Sequence, residues 1–534
     1  MRLLAADATW FSCLAALLRL LSSMANTSNS SEAMSSCRMI VRPSGRHWSS
    51  LEYSGFKDNA GPRPMATSFR FRKVQKEGDI VLTQRLAEFV IDTRVAALPA
   101  QALPAARAAF IDTVGCALLG LTEPVSELAA RWAEENGARG RVAVWGRTLS
   151  TSPAEAAFAN AIASHALDFD DAMPTLRGHP STTLVPAILA AGADAGASGE
   201  HALASYVLGL EVAGKLGVAV GDGHYFRGWH TTATVGVMSS TAAVARLWRL
   251  DPDQLRTAWG LAATQASGLV RNFGSMAKPF HAGHAARSAL LSVWLARNGC
   301  TAERSIFDVP GGFLSTYAGE GATPLAECIE RLGAPWEIAE PGIYVKRWPC
   351  CYANHRAVGG LLQLKEEHGL RADEIESIDI GFLPGGDGAL ISSNPHTGLE
   401  AKFSIEYCAA AAFIDGTLTM NSFTDDQVMR KPVRALMKKV RRHRIEDSKV
   451  YSGLKGYTDV TVRTSRGRYR MRVDKTPGSP AWPLTDADRK EKFLDGARRA
   501  LGDPAAGALF DQLSRLGSAD DGGGRIARDL ALRR

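Results

Sequence analysis

Five short segments of this 534-residue chain concentrate side chains able to move protons or hold anions. The densest runs Leu167-Asp168-Phe169-Asp170-Asp171 and on through Arg177, Gly178, His179 and Ser181. Carboxylates alone would as readily cap a helix or solvate a loop. The flanks set this segment apart: residues 154–166 and 184–195 are nearly all Ala, Ile, Leu and Phe, which predicts buried helices holding a polar loop at the edge of a core. In the second segment, Gly228-Trp229-His230-Thr231-Thr232, hydroxyls and free N–H groups at a helix start serve equally to cap the helix and to receive an anionic oxygen. The third, Lys278-Pro279-Phe280-His281-Ala282-Gly283-His284, places a lysine before proline, which predicts an extended turn rather than a helix at Lys278. His281 and His284 have no carboxylate or third ligand at helical spacing, so no metal is expected there. The fourth, Lys346 to Arg356, joins Lys346 and Arg347 to Trp348, the vicinal Cys350-Cys351 and His355. The fifth, Lys402-Phe403-Ser404-Ile405-Glu406-Tyr407, enters an apolar helix, and its plain reading is a helix start with a core tyrosine.

The elements that must position these residues are mostly helical. Leu82, Leu86, Phe89 and Val90 repeat on one helical face, and Phe110, Val114 and Leu118 do so after Pro104. Residues 202–220, 235–248 and 286–295 are further apolar helices, and Asp251-Pro252-Asp253 is a helix start. No alternating strand is expected between 80 and 340, which predicts an all-α domain over 77–344. Beyond Pro341 the pattern changes. Ile375–Phe382 reads as a strand, residues 460–473 as a hairpin around Ser465-Arg466-Gly467, and residues 423–440 as a helix with a basic end. This predicts a smaller α+β domain over 345–477. A helix over 478–515 then returns to the first domain, and 516–534 is a tail.

Apolar content of 46% and charged content of 22% are those of an ordinary globular chain. The first 76 residues hold eleven Lys/Arg against four Asp/Glu, which accounts for the whole net charge of +7. The remainder is balanced, so no nucleic-acid partner is expected. Eight cysteines without CxxC or scaffold spacing predict a reducing compartment. No apolar run is expected to reach membrane-spanning length. Residues 1–76 read as a disordered extension or an over-read start with Met65 as the true beginning; a transit peptide is the alternative. The cytoplasm is the expected location, with the mitochondrial matrix as alternative.

Taken together and in order, His165-Ala-Leu-Asp-Phe-Asp-Asp171, Gly178-His-Pro-Ser181, Gly228-Trp-His230, Lys278-Pro-Phe-His-Ala-Gly283, Lys346-Arg-Trp-Pro-Cys-Cys351 with His355-Arg356, and Lys402-Phe-Ser-Ile-Glu-Tyr407 resemble the MmgE/PrpD family. The resemblance covers about residues 80 to 510. It implies a mostly α fold, with a large helical domain, a smaller α+β lid and the site in the cleft between them. It also implies a homodimer, a small di- or tricarboxylate substrate, and lyase or isomerase chemistry needing no metal or organic cofactor. By the resemblance Asp168, His179, His230, Lys278, Lys346 and Tyr407 are cleft residues. Such chemistry removes a proton beside a carboxylate. Lys278, Lys346, Arg347 and the groups at His230–Thr232 are expected to clamp the substrate. His179 and His230 are the expected acid–base pair, because imidazole titrates near neutral pH. Asp168 would orient a histidine, and Tyr407 would donate from the lid. Thr231, Cys351, His355 and Lys402 complete the expected substrate-binding set. In the decarboxylase branch of the family a histidine stands where this chain has Cys351, and a threonine near the place of Ala172. These departures favour a hydro-lyase acting on a substrate such as 2-methylcitrate over an itaconate-forming enzyme. An epimerase of an imino- or hydroxy-dicarboxylate, a decarboxylase and a non-catalytic carboxylate-binding protein are the alternatives.

Overall fold

The computed structural model describes residues 81–451 and 454–518, besides a two-residue antiparallel ladder pairing Arg38–Met39 with Leu51–Glu52. The expectations for residues 1–76, and for the tail beyond 518, lie outside the described residues.

Among the described residues, nine helices of eleven residues or more build the first part: α1 Leu82–Asp92, α2 Ala102–Leu119, α3 Pro124–Asn136, α4 Pro153–His165, α5 Ser181–Ala195, α6 Gly199–Val220, α7 Gly236–Leu247, α8 Pro252–Ala263 and α9 Ala277–Arg297. Local chemistry sets several boundaries. Ser152 caps α4 by accepting from Glu155 N ahead of a proline in the first turn, and Asp251 with Gln254 forms a capping box on α8. Helix α5 ends where Gly196 turns left-handed at φ 64°. The apolar faces of all but α3 form one core, with Leu86, Phe110, Leu184, Leu210, Val237, Trp259 and Leu290 almost wholly removed from water, while Ala129, Ala130 and Ala133 of α3 pack in a smaller cluster with Phe158 and Ile162. Each such side chain contributes about 1.5–3 kcal/mol of transfer free energy.

Two expectations for this region are corrected. A short hairpin pairs Arg139–Ala143 with Ser150–Thr151. Three consecutive residues of its longer strand are exposed, so the sequence carries no alternation there. Two segments, Ala102–Thr122 and Gly199–Val220, are also long and apolar enough to cross a membrane by length and composition. Here they are core helices, 61% and 94% buried within the fold.

The second part wraps helices α10 His355–His368 and α11 Ile405–Asp415 on a four-stranded sheet. Its strands β1 Ile375–Phe382, β2 Val440–Arg444, β3 Thr458–Thr464 and β4 Gly467–Val473 lie in the order β2-β1-β3-β4. Strands β1 and β2 are parallel and the other pairs antiparallel, with Ile378 between Val440 and Val462. The hairpin turns at Ser465-Arg466, and Ile378, Ile380, Val460 and Val462 face a separate core. The single helix expected over 423–440 is broken instead. Pro432 begins a new short helix, Lys431–Met437, and Val440 already belongs to β2. Helices α12 Asp486–Leu501 and α13 Asp503–Arg515 return to the first core through Phe493, Leu494, Leu509 and Leu513.

Candidate active site

The polar loop between α4 and α5 sits where the two cores meet, and lysines from distant segments fix it. Lys402 Nζ donates to Leu167 O at 2.5 Å, Lys346 Nζ to Asp168 O at 2.7 Å and Lys492 Nζ, from α12, to Phe169 O at 2.9 Å. Three consecutive carbonyls are thus each held by an ammonium from a different part of the chain. Lys492 also pairs with Asp112 at 2.7 Å. Asp168 takes the left-handed conformation, φ 53°, which aspartate tolerates better than most residues. Its carboxylate pairs with Lys278 Nζ and, at 2.9 Å, with Lys346 Nζ. Burial would raise the Asp168 pKa, but the ammonium groups of Lys278 and Lys346, helped by His179 and His165, hold it well below the carboxylate range. Burial likewise opposes the charge on Lys346, yet Asp168 and Asp170 outweigh it and raise that pKa.

Beside this charge cluster stand four imidazoles. His165 Nδ1 lies 2.9 Å from both oxygens of Asp170. His179 Nδ1 donates to Asp171 O at 2.8 Å, which leaves Nε2, 3.7 Å from Asp168, as the basic nitrogen. His230 Nδ1 meets His281 Nδ1 at 3.1 Å, and His230 Nε2 is buried without a hydrogen-bond partner among the described residues. The rings of His179 and His230 are 6.4 Å apart between centroids. Burial lowers all four pKa values, those of His165 and His281 to about 4, and Lys278 depresses them further. The imidazoles are therefore neutral at pH 7. Asp171 behaves oppositely: burial pushes it up to about 8 against its bond from Ser181, so it is a neutral acid.

Close approach of the backbone makes the convergence possible. A Cβ at Gly283 would lie 2.5 Å from Ile162 Cγ1 and 2.7 Å from Phe158 O, so glycine lets α9 press on α4. That contact brings Lys278 and His281 to the loop. A Cβ at Gly178 would meet Thr232 Oγ1 at 2.8 Å. Thr232 Oγ1 accepts from His179 N at 3.1 Å, and Thr231 Oγ1 donates to Arg177 O at 2.7 Å. The hydroxyls thus brace the histidine loop; the helix they begin has only four residues, Thr231–Thr234, and offers no long-helix anion site.

His179, His230, Lys278 and Cys351 line one narrow cavity of about 70 Å³, walled further by Ala172, Tyr225, Phe273 and Phe403. Asp168 and Lys346 lie directly behind it through their bonds to Lys278 and to each other. Other expected site residues do not reach this cavity. Tyr407 is fully buried in the second core, where its hydroxyl donates to Ser422 O. Arg347 is exposed and lies beside Trp348, outside the cleft. His355 is buried under Tyr352, with ring centroids 4.9 Å apart, and Lys402 faces a different cavity. Thr231 acts through the loop. Lys278 is not on an extended turn: Pro279 lies in the first turn of α9, where its missing N–H costs no hydrogen bond, so both residues are helical.

Asp170, His165, His281 and Lys492 were not among the expected site residues. Asp170 and His281 stand in the polar segments that the sequence singles out and His165 in a motif of the resemblance, whereas Lys492 carries no local signal. Among the described residues, His165, Asp168, Asp170 and His179 have ligand-type atoms within 4.8 Å of one another. Asp168 already answers two ammonium groups and Asp170 two imidazoles, so a cation would have to displace lysines from the first and hydrogen bonds from the second.

The neutral imidazoles make stability pH-dependent. Six histidines (165, 179, 224, 230, 281 and 284) have pKa values lowered by burial. The unfolded chain therefore binds more protons than the folded one between about pH 6.5 and 4. Their contribution is complete above 6.5 and lost as pH falls towards 4. Asp112, Asp171 and Glu337, raised by burial, run the other way but are fewer. The melting temperature is expected to fall by at least several degrees between pH 7 and pH 4.5 in calorimetry, and a flat profile would contradict the burial of these rings.

The two descriptions MmgE/PrpD N-terminal domain and MmgE/PrpD C-terminal domain match residues 84–325 and 348–512. Cis-aconitate decarboxylase of Mus musculus is 27% identical over 77% of this chain and 86% of its own length. The enzyme of the same name from Homo sapiens is 26% identical over 82% and 92%, and that of Aspergillus terreus 27% identical over 66% and 76%. With both domain descriptions matched across the two cores and the loop between them, the chain belongs to the MmgE/PrpD family.

Proposed function

We propose that the protein is a lyase acting on a small polycarboxylate, and that decarboxylation of a cis-aconitate-type tricarboxylate is its reaction. The observation that carries this is the cavity lined by His179, His230 and Lys278, with Asp168 and Lys346 fixing the lysine from behind. The names of the relatives favour decarboxylation among the lyase reactions.

The chemistry follows from these groups. Lys278 holds a substrate carboxylate and stabilises negative charge developing beside it. The bond to another carboxylate breaks, carbon dioxide leaves, and the electron pair shifts through the double bond to the far carbon. That carbon takes a proton from an imidazolium. His230 is neutral in the free protein because burial and Lys278 disfavour its charged form. A bound polyanion opposes the second of these causes and so raises the ring's affinity for a proton. His179, at the other edge of the cavity, is placed to exchange a proton on the opposite face.

Dehydration of a hydroxy-tricarboxylate such as 2-methylcitrate is the second reading. It is favoured by Ala172 and Cys351 on the cavity wall, where the decarboxylase branch, by the resemblance, carries threonine and histidine. Burial raises the Cys351 thiol to about 12, so it brings no charge.

Proton NMR of the purified protein with cis-aconitate, 2-methylcitrate, citrate and iminodisuccinate, each with EDTA present, separates the readings. A new methylene alkene from cis-aconitate with carbon dioxide release is expected. Alkene formation from a hydroxy acid alone would select dehydration, exchange of a C–H without alkene would select epimerisation, and loss of every activity on chelation would overturn the metal-independent scheme.

A further inference from the structure

A second cavity, of about 420 Å³, lies against the same loop and shares no lining residue with the imidazole cavity. Its walls come from the end of α2 and the turn after it, from the segment leading to Lys402, from Met420–Thr424 and from α12. Leu119, Leu167, Leu399 and Phe423 make much of the surface apolar. The size is that of a small-molecule site, and Thr122, Glu123, Lys402, Asn421, Thr424 and Arg499 make the rest of the wall polar.

Lys402 is the polar group on this wall that requires explanation. It is 4% exposed, and its ammonium makes one hydrogen bond, to Leu167 O at 2.5 Å, while passing 5.8 Å from the centre of the Phe423 ring. Among the described residues no carboxylate oxygen lies within 4.0 Å of it, in contrast to Lys278, Lys346 and Lys492, each of which has one. Burial accordingly lowers its pKa to about 8, with Glu123 supporting the charge only from a distance. An ammonium has three donors, so one carbonyl leaves this buried cation under-satisfied. Arg499, paired with Asp495 at 3.0 Å one turn along α12, adds a second cation on a wall open to solvent.

We propose that this cavity binds the carboxylate of an aliphatic monocarboxylic acid, its head group on Lys402 and its hydrocarbon body against Leu119, Leu399 and Phe423. One deep cation suits one carboxylate, Glu123 opposes a second, and the side chains of Leu119, Leu399 and Phe423 accept methylenes. The ammonium that receives the head group is the one that holds the carbonyl of Leu167, next to Asp168, so the site touches the catalytic loop from outside the imidazole cavity.

Isothermal titration of the full chain with hexanoate at pH 7 tests this. Saturable binding of one hexanoate per chain is expected, unaffected by excess cis-aconitate, and undetectable with hexanol. Lys402→Met should weaken it at least about tenfold, in line with loss of a charge-assisted hydrogen bond. Leu399→Trp, at a partly exposed wall position, should abolish it with melting temperature retained, and this variant carries the test if Lys402→Met does not fold. Unchanged binding in folded Leu399→Trp, displacement by cis-aconitate, equal binding of hexanol, or no saturable binding to the native chain would each overturn the assignment.

Discussion

His230→Ala is expected to lower turnover by about 10²–10⁴-fold, the range typical for removing a positioned acid–base group, with the circular dichroism spectrum retained. The geometry explains both halves of this outcome. His230 lines the cavity, and its buried Nε2 has no hydrogen-bond partner among the described residues, so truncation orphans no partner at that atom. At the other edge Nδ1 faces His281 Nδ1 at 3.1 Å, a separation that requires one proton between the two nitrogens. His281 is therefore a positioning residue: it fixes which nitrogen of His230 is free to work. His281→Ala should lower kcat with little change in KM and move the acid limb of the pH–rate profile. His281→Asn, which restores an N–H donor, should recover part of the loss. A purely structural histidine would leave the pH profile in place. Native turnover in His230→Ala would remove it from the chemistry altogether.

Asp168→Asn should destabilise the protein by about 3–5 kcal/mol, the cost of leaving buried charge without its partner. The asparagine keeps the shape and an acceptor oxygen but not the charge that answers Lys278 and Lys346, both at least 96% removed from solvent. Lys346 owes its raised pKa first to Asp168 among the groups acting against burial, so the substitution also favours its deprotonation. Urea unfolding checks the magnitude. Adding Lys346→Met to Asp168→Asn should return part of the lost stability, because one stranded ammonium goes with it. A loss under about 1 kcal/mol would mean that water or another carboxylate answers the two lysines. Activity should fall as well, since Lys278 loses the carboxylate that fixes it at the cavity wall.

The contrast between Lys278 and Tyr407 shows where reading the sequence stops. Both stand in motifs that carry the family resemblance, yet one lines the cavity and the other ends in the second core with its hydroxyl donating to Ser422 O. Nothing in Ser404-Ile405-Glu406-Tyr407 tells the two apart, because an apolar helix with a tyrosine reads identically whether its face meets a sheet or a cleft. Arg347 and Lys346 are adjacent and chemically alike, but alternate sides of an extended segment send one to Asp168 and the other to solvent. The proline after Lys278 pointed to an extended turn, but its place in the first turn of α9 makes Lys278 helical.

Helices α1, α2 and α4 to α8, the later turns of α9, strand Ile375–Phe382 and the hairpin turning at Ser465-Arg466 were determined by the sequence, since apolar periodicity, caps and turn residues act over a few positions, whereas α3 was not read from it. The loop around Asp168 was likewise marked by its own composition. What only the tertiary structure decided is which distant lysines hold that loop: Lys346, Lys402 and Lys492 reach the carbonyls of Asp168, Leu167 and Phe169 from 178, 235 and 323 residues away. No local pattern encodes those partners. They follow from two separately cored parts closing on one another, which removes the lysines from water and leaves backbone oxygens and the Asp168 carboxylate to satisfy them.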